Sequence, residues 1–223
     1  MNEYTFYLNI KMFRNAYFAF KLTNYIERLI VESENADERL CVIERSLEIM
    51  VVLQELHNFN CVFALTAALG SGAVHRIVKK QNLKKELKNA LESGSDLFKD
   101  HCKTYWEKLR SINPPCVPFY GQYQTKIFFV QEGNPDHLAN TNLINFTKRR
   151  KVADIISEIQ QYQNQPYCLK PYPEIRAHLE SLDPFPDMGE NEISNYLWQK
   201  SNEVEPKESA KKKVVSFLEI SVY

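Results

Sequence analysis

Residues 118–135 read PFYGQYQTKIFFVQEGNP. Within them, Phe119, Tyr123 and Ile127 recur every four residues, the spacing at which side chains share one face of a helix. The short apolar run 127–130 taken alone would also suit a strand. We predict a helix here, ended by the Gly-Asn-Pro sequence at 133–135.

A second helix is predicted after this turn, because apolar side chains again recur at helical spacing while charged residues fill the other positions. The apolar stripe consists of Val152, Ile155, Ile156, Ile159 and Tyr162. Two helices joined by a short Gly-Asn-Pro turn would form an antiparallel helical hairpin over about 119–163.

Proline placement indicates the fold class of the rest of the chain. All ten prolines lie at or after Pro114, so the first 113 residues can form long helices. One helix should begin at Asn35, with Glu38 completing a capping box, and run to about Leu56. We predict an all-α, irregular multi-helix domain from which the hairpin protrudes.

Further helices are predicted on either side of the hairpin. An apolar run at 61–69 is closed by glycines at 70 and 72. The segment 78–91 carries five lysines, which we interpret as a solvated helix face. Residues 96–109 form another helix candidate, stopped by 113–115. Five prolines between 166 and 186 predict irregular structure before a short helix at about 191–202.

Composition excludes several functional classes. The 223 residues carry 28 Lys+Arg and 28 Asp+Glu, so the formal net charge is zero. We therefore do not expect nucleic-acid binding driven by overall charge. Only 6 glycines are present, well under the usual share of about 7%. Gly70-Ser71-Gly72 is not a dinucleotide-binding motif, because His75 stands where that motif has its third glycine.

The cysteines and the apolar runs indicate the cellular compartment of the protein. Five widely spaced cysteines without a Cys-x-x-Cys pair predict reduced thiols in a cytoplasmic protein. Residues 1–22 lack the basic-then-apolar order of a signal peptide, and the sequence contains no uninterrupted apolar run of membrane length. We therefore expect no intrinsic membrane segment.

No motif for bond chemistry is evident. The five histidines are scattered without His-x-x-x-His spacing, so we expect no metal site and no cofactor. A Ser-His-Asp or Cys-His set assembled in space stays open. The basic run Lys148-Arg149-Arg150-Lys151 would pass as a nucleic-acid patch, but we interpret it as the solvated side of an amphipathic helix.

Glu132 contradicts a local rule. A carboxylate in the last turn of a helix faces the negative end of the macrodipole, which costs some tenths of a kcal/mol. Before a tight turn at the tip of a hairpin, this side chain would be displayed outward. Local inconsistencies of this kind concentrate at functional sites.

Five ordered blocks of sequence carry a family resemblance. They read NFN at 58–60, LRSINPPCVPF at 109–119, EGNP at 132–135, LINF at 143–146 with KRRKVA at 148–153, and EIQQYQNQPYCL at 158–169. The chain resembles the catalytic domain of Ras guanine-nucleotide exchange factors, most of all the son-of-sevenless group.

This resemblance implies an all-helical domain whose hairpin pries open the nucleotide site of a Ras-family small GTPase, without bond chemistry. In the family, an apolar residue on the first hairpin helix lies where the GTPase holds Mg²⁺, and a glutamate one turn later intrudes near the phosphates. Those positions match Phe128 and Glu132, although the family usually has leucine in place of this phenylalanine.

Other GTPase contacts of the family match this sequence unevenly. Matching positions include an apolar contact to the switch region, Phe119, together with Phe13, Arg14, His101, Lys151 and Tyr162. Positions that depart from the usual residue are Gly70 for asparagine, His75 and Cys102 for tyrosines, and Lys207 for arginine. Each departure removes or alters a hydrogen-bonding side chain.

The likeness covers 11–207, leaving an unmatched N-terminus at 1–10 and an unmatched tail at 208–223. Because the family's domain normally begins with helices upstream of Lys11, the resemblance implies an N-terminally truncated exchange domain. The leading hypothesis is a monomeric exchange factor. The alternatives are an exchange-inactive helical GTPase-binding scaffold and nucleic-acid binding through the basic run at 148–151.

Overall fold

The structure is a computed structural model that describes residues 3–206, with side chains from Arg14 onward. Phe13, Lys207 and the 208–223 tail lie outside the described side chains. The described helices are α1 (Glu3–Glu32), α2 (Ala36–Glu55), α3 (Phe59–Gly70), α4 (His75–Lys80), α5 (Lys85–Phe98), a 3₁₀ turn (Asp100–Cys102), α6 (Lys103–Ser111), α7 (Tyr120–Glu132), α8 (Phe146–Gln163), α9 (Pro173–Glu180) and α10 (Glu190–Val204).

The predicted all-α class is confirmed. Between residues 3 and 206, β structure is limited to two isolated bridges, Asn58 with Val117 and His137 with Ile144. Over the same residues, no helix is long and apolar enough to cross a membrane.

The capping predicted for α2 is present with one difference. The Asn35 side chain accepts a hydrogen bond from the Glu38 amide at 2.8 Å, as expected. The Glu38 carboxylate, however, accepts from the amide of Glu34 instead of Asn35. The Glu38 amide, one of the free donors of the first turn, is therefore satisfied, whereas the second bond goes to the amide of Glu34, which lies outside the helix.

Two hydrophobic clusters organise the helices. The N-terminal core combines α1, α2, α4 and α10 around residues such as Ile30, Leu47 and Leu197. The hairpin core combines α6, α7 and α8, and its buried members are Phe59, Val62, Leu97, Cys102, Tyr105, Leu109, Cys116, Phe119, Tyr120, Tyr123, Ile127 and Ile159. Helix α3 contributes Phe59 to the hairpin core and Leu69 to the N-terminal core, so it joins the two.

The helices predicted over 78–91 and 96–109 are interrupted. Between α4 and α5 the chain leaves helical geometry, and Gln81 has extended backbone angles. Between α5 and α6, Asp100, His101 and Cys102 have positive φ values of 48°, 56° and 63°. A right-handed helix cannot continue through left-handed residues, so two helices form where one was predicted.

The proline-rich segment contains a helix that the sequence interpretation missed. Pro173 occupies the first turn of α9, where the absent N–H would have had no intrahelical partner. Proline therefore starts this helix instead of preventing it. The final predicted helix, at about 191–202, is present as α10.

Candidate functional site: the α7–α8 hairpin

Helix α7 separates a buried face from an exposed one. Tyr123 and Ile127, which are 0% and 7% exposed, belong to the hairpin core. Phe128 is 57% exposed, and Glu132, one turn later, is also exposed. Residues four apart lie on the same side of a helix, so the aromatic ring and the carboxylate share the solvent-facing surface.

The connection between the two helices differs from the predicted short turn. Thirteen residues, 133–145, separate Glu132 from Phe146. The amide of Leu138 donates to the carbonyl of Leu143, which makes this connection a compact loop and not a tight reversal. Asn145 then caps α8, with its side chain accepting from the Lys148 amide.

The basic run at the start of α8 corrects an expectation. Lys148 is only 6% exposed, so it does not belong to a solvated face. Its Nζ lies 3.1 Å from a carboxylate oxygen of Asp136, which also accepts from Arg149 at 3.0 Å. The hydrogen bond and charge of Lys148 lower the pKa of the Asp136 carboxyl. Lys151 is exposed and donates to the Asn134 side chain at 3.2 Å.

The base of the hairpin is an aromatic cluster. Phe119 is 9% exposed, and its ring stacks on Phe63 with centroids 3.9 Å apart. Phe98 and Tyr105 meet the same ring edge-on. A Cβ on Gly121 would come within 2.7 Å of the Phe119 ring, so glycine permits this close approach. Phe119 therefore anchors the hairpin, and little of its surface is open to a partner.

A polar brace holds α7 against its neighbours. The ammonium of Lys126 lies 3.5 Å from the centroid of the Trp106 ring on α6 and 3.8 Å from Glu158 on α8. The Tyr123 hydroxyl donates to the same glutamate at 3.0 Å. Burial lowers the pKa of Lys126, and the charge of Glu158 opposes that shift. The brace joins three helices midway along α7.

Three further predicted contact residues lie near this base. Cys102 is 5% exposed and belongs to the hairpin core, so its thiol has little surface for a partner. Tyr162 packs against the same core and is partly exposed. His101 precedes Cys102 in the left-handed turn, and its side chain is exposed.

The remaining predicted contact residues lie away from the hairpin core. Gly70 ends α3 and His75 begins α4, and both are exposed on either side of one turn. Nothing approaches within 4 Å of where a Gly70 side chain would start. Arg14 is exposed on α1, which packs along α3. The structure does not gather every predicted residue into one contiguous cluster.

Several exposed apolar side chains on the hairpin were not predicted as site residues. Phe129 is 66% exposed, and its ring centroid lies 5.9 Å from that of Phe128. Others cluster in and after the loop, and they are Leu138, Leu143, Ile144 and Phe146, each 48–69% exposed. The available signals were the Phe-Phe doublet and the four apolar residues in and directly after a polar loop.

Among the residues that the structure describes, no group of three or more histidine, cysteine, aspartate or glutamate side chains could hold a metal ion. The exposed apolar side chains of the hairpin are of the kind that marks interaction sites.

The sequence also matches a known protein family. The model for the RasGEF domain matches residues 9–150, which is more than half of the chain. The chain belongs to the RasGEF domain family. The matched region includes all of α7 and the loop at 133–145, and it extends through the first turn of α8.

Curated RasGEF relatives place the chain in the son-of-sevenless group. Protein son of sevenless of Drosophila melanogaster is 51% identical over 187 residues, covering 83% of this chain and 12% of that protein. Son of sevenless homolog of Caenorhabditis elegans is 36% identical over 220 residues, covering 83% and 14%. Ras-specific guanine nucleotide-releasing factor 1 of Mus musculus is 33% identical over 162 residues, covering 71% and 13%. The chain spans about an eighth of the length of these relatives.

Proposed function

We propose that the chain is a guanine-nucleotide exchange module that accelerates GDP release from a Ras-family small GTPase. Membership of the RasGEF domain family supports the reaction class. The observation that carries the mechanism is the exposed pair Phe128 and Glu132, one turn apart at the end of α7. The hairpin 119–163 inserts this pair into the nucleotide site of the GTPase.

The proposed chemistry is competition for space and charge. A Ras-type GTPase holds GDP with an affinity on the order of pM, or about 16 kcal/mol. The Phe128 ring would occupy the Mg²⁺ position, and the Glu132 carboxylate would repel the phosphates. Both effects penalise the nucleotide-bound state specifically, so the factor prefers the empty GTPase. By reciprocity, rebinding of nucleotide expels the factor.

The hairpin can open the nucleotide site only if it does not bend when it contacts the GTPase. The aromatic cluster around Phe119 fixes the base of α7, and Lys126 and Glu158 brace its middle. Bending the hairpin would require separating these contacts. The free-energy cost of insertion therefore falls on the nucleotide site of the GTPase.

Release of a fluorescent GDP analogue from a Ras-family GTPase tests this function. The chain should accelerate release in proportion to its concentration, and excess unlabelled GDP prevents rebinding. Circular dichroism must show the helical fold in the same sample. A folded sample that leaves the release rate at its spontaneous value would contradict the proposal.

Binding without exchange is the second candidate function. Its support is that Gly70 presents bare backbone and Cys102 a buried thiol where the family usually has larger hydrogen-bonding side chains. Affinity for nucleotide-free GTPase, measured beside the release rate, separates the two functions. Tight binding with no acceleration of release selects the scaffold.

Nucleic-acid binding through 148–151 finds less support. Lys148 and Arg149 share the Asp136 carboxylate, and Lys151 bonds to Asn134, so three of the four basic side chains already contact the loop. A steep fall of RNA or DNA affinity with salt would be needed to revive it.

We further propose that the module acts as a monomer in the cytoplasm and meets its GTPase at the plasma membrane through other modules or partners. Cys41 and Cys168 are exposed and unpaired, which suits a reducing compartment. Light scattering should give a mass of 26.1 kDa for the chain. A dimer mass would contradict the monomer.

A further inference from the structure

Lys148 is a buried cation at the point where α8 meets the end of α7. Its side chain is 8% exposed, and its Nζ donates to the carbonyl of Gln131 at 2.9 Å. The second partner is Asp136 in the loop, at 3.1 Å. An ammonium group rarely leaves water without paired and hydrogen-bonded partners, and here the partners come from two separate segments.

The bond to Gln131 completes the end of α7. The last carbonyls of a helix have no intrahelical donor. Here Phe129 accepts from the amide of Gly133, Val130 accepts from the Asn134 side chain, and Gln131 accepts from Lys148. Three successive carbonyls therefore have fixed donors, and the third donor carries a positive charge.

The positive charge of Lys148 lies at the end of α7, next to the residue before Glu132. A carboxylate at the end of a helix is opposed by the negative pole of the macrodipole, which favours unwinding of the last turn. The ammonium of Lys148, bonded to the carbonyl of the preceding residue, offsets this pole. Glu132 itself remains exposed, so its carboxylate is displayed from a turn that is held by another helix.

We propose that Lys148 is a positioning residue for exchange: it fixes the last turn of α7 and thereby the direction in which Glu132 points. Asp136 keeps the ammonium in place, and Arg149 shares that carboxylate. This inference rests on the proposed exchange function. It assigns to the buried member of the basic run a role in catalysis that requires no contact with the GTPase.

The test measures both the geometry and its consequence. In Lys148→Met, amide hydrogen exchange over 129–135 should accelerate at least tenfold, while the middle of α7 keeps its protection. For GDP release, kcat should fall about tenfold with KM for the GTPase little changed, because misplacement of a reacting group affects turnover more than docking. Lys148→Arg, which keeps the charge, should recover part of the rate.

A double-mutant cycle distinguishes positioning from a general structural role. If Lys148 acts through Glu132, Lys148→Met should cause no further loss of kcat in a Glu132→Ala background. Lys88→Met, at an exposed lysine on α5, is the matched control and should leave kcat and hydrogen exchange unchanged. If Lys148→Met does not fold, Asp136→Asn should still loosen 129–135 and lower kcat by a smaller factor.

Three results would overturn the inference: native protection over 129–135 in a folded variant, an unchanged kcat, or losses that multiply in the double mutant. Failure of the proposed function looks different. In that case the wild-type chain releases no GDP, while the hydrogen-exchange comparison still decides whether Lys148 fixes the last turn.

Discussion

The backbone amide of Phe119 donates a hydrogen bond to the hydroxyl oxygen of Tyr105 at 2.9 Å, and both residues are buried. Tyr105 lies on α6, so this bond ties the first residue of the hairpin to the helix before it. Burial raises the pKa of Tyr105 far above its ordinary value, which keeps the hydroxyl neutral. This buried hydrogen bond therefore fixes the residue directly before α7 relative to α6.

Tyr105→Phe should destabilise the fold by about 1–3 kcal/mol, because the Phe119 amide would lose its acceptor while remaining buried. Urea unfolding followed by circular dichroism measures this difference. Tyr172→Phe, at a side chain that is 66% exposed, is the control and should change stability by less than about 0.5 kcal/mol. Equal effects of the two substitutions would contradict the buried bond.

Phe119→Ala should cost about 3–5 kcal/mol, since it removes a ring packed among Phe63, Phe98 and Tyr105. The same substitution should weaken GTPase binding, because the base of the wedge would loosen. Thermal unfolding and binding to nucleotide-free GTPase, measured in one preparation, separate the two effects. An undiminished melting temperature would show that the ring is not a core residue.

Phe128→Ala and Glu132→Ala should each leave stability within about 0.5 kcal/mol of wild type, because both side chains are exposed. Each should slow GDP release about tenfold, equivalent to ~1.4 kcal/mol. Phe129→Ala removes a ring that is more exposed than that of Phe128 but lies about 100° around the helix, so it should slow release less. A larger loss from Phe129→Ala would assign the wedge to the other face of α7.

Two of the five thiols should react quickly in the folded protein. Cys41 and Cys168 are exposed, whereas burial raises the pKa of Cys61 and of Cys116 to about 11 and that of Cys102 in the same direction. Thiolates are the reactive form, so the three raised thiols should react slowly. A chromogenic disulfide reagent should count two fast thiols, and five after unfolding. Four or more fast thiols would contradict the burial of the hairpin core, because Cys102 or Cys116 would then be among them.

The sequence predicted α7 because its buried face is local. Tyr123 and Ile127 are one turn apart, and a period of four residues reveals such a face without knowledge of the partner helix. Lys148 carries no such signal. Its partners, Gln131 and Asp136, are 17 and 12 residues away, and its neighbours in the basic run are exposed. Burial of a single lysine in a basic run depends on tertiary contacts that periodicity does not encode.

The broken helix at 100–102 was missed for a related reason. Asp100, His101 and Cys102 are not glycines. Aspartate and histidine adopt positive φ more often than most non-glycine residues, but residue type alone does not predict three successive left-handed residues. Cys102, the last residue of this turn, is buried in the hairpin core. Packing within the hairpin core offsets the local backbone cost, and these contacts form only in the folded chain. The family resemblance identified His101 and Cys102 as contact positions without indicating this conformation.

Glu27 on α1 provides a test of pH dependence away from the hairpin. It is 7% exposed, and burial raises its pKa above the ordinary 4.5, while a hydrogen bond from Ser71 opposes the shift. Between pH 4.5 and the raised pKa of the folded state, the folded state binds more protons than the unfolded state, so this group lowers stability as pH rises through that range. Glu27→Gln removes the ionisation and should stabilise the fold at pH 7.

The stabilisation by Glu27→Gln should shrink toward pH 4, where wild-type Glu27 is protonated in both states. Urea unfolding of wild type and variant at the two pH values gives the comparison. Glu86→Gln, at an exposed position on α5, should shift stability by less than about 0.5 kcal/mol at either pH. If Glu27→Gln destabilises at pH 7, the Ser71 hydrogen bond outweighs burial and the carboxylate is held ionised.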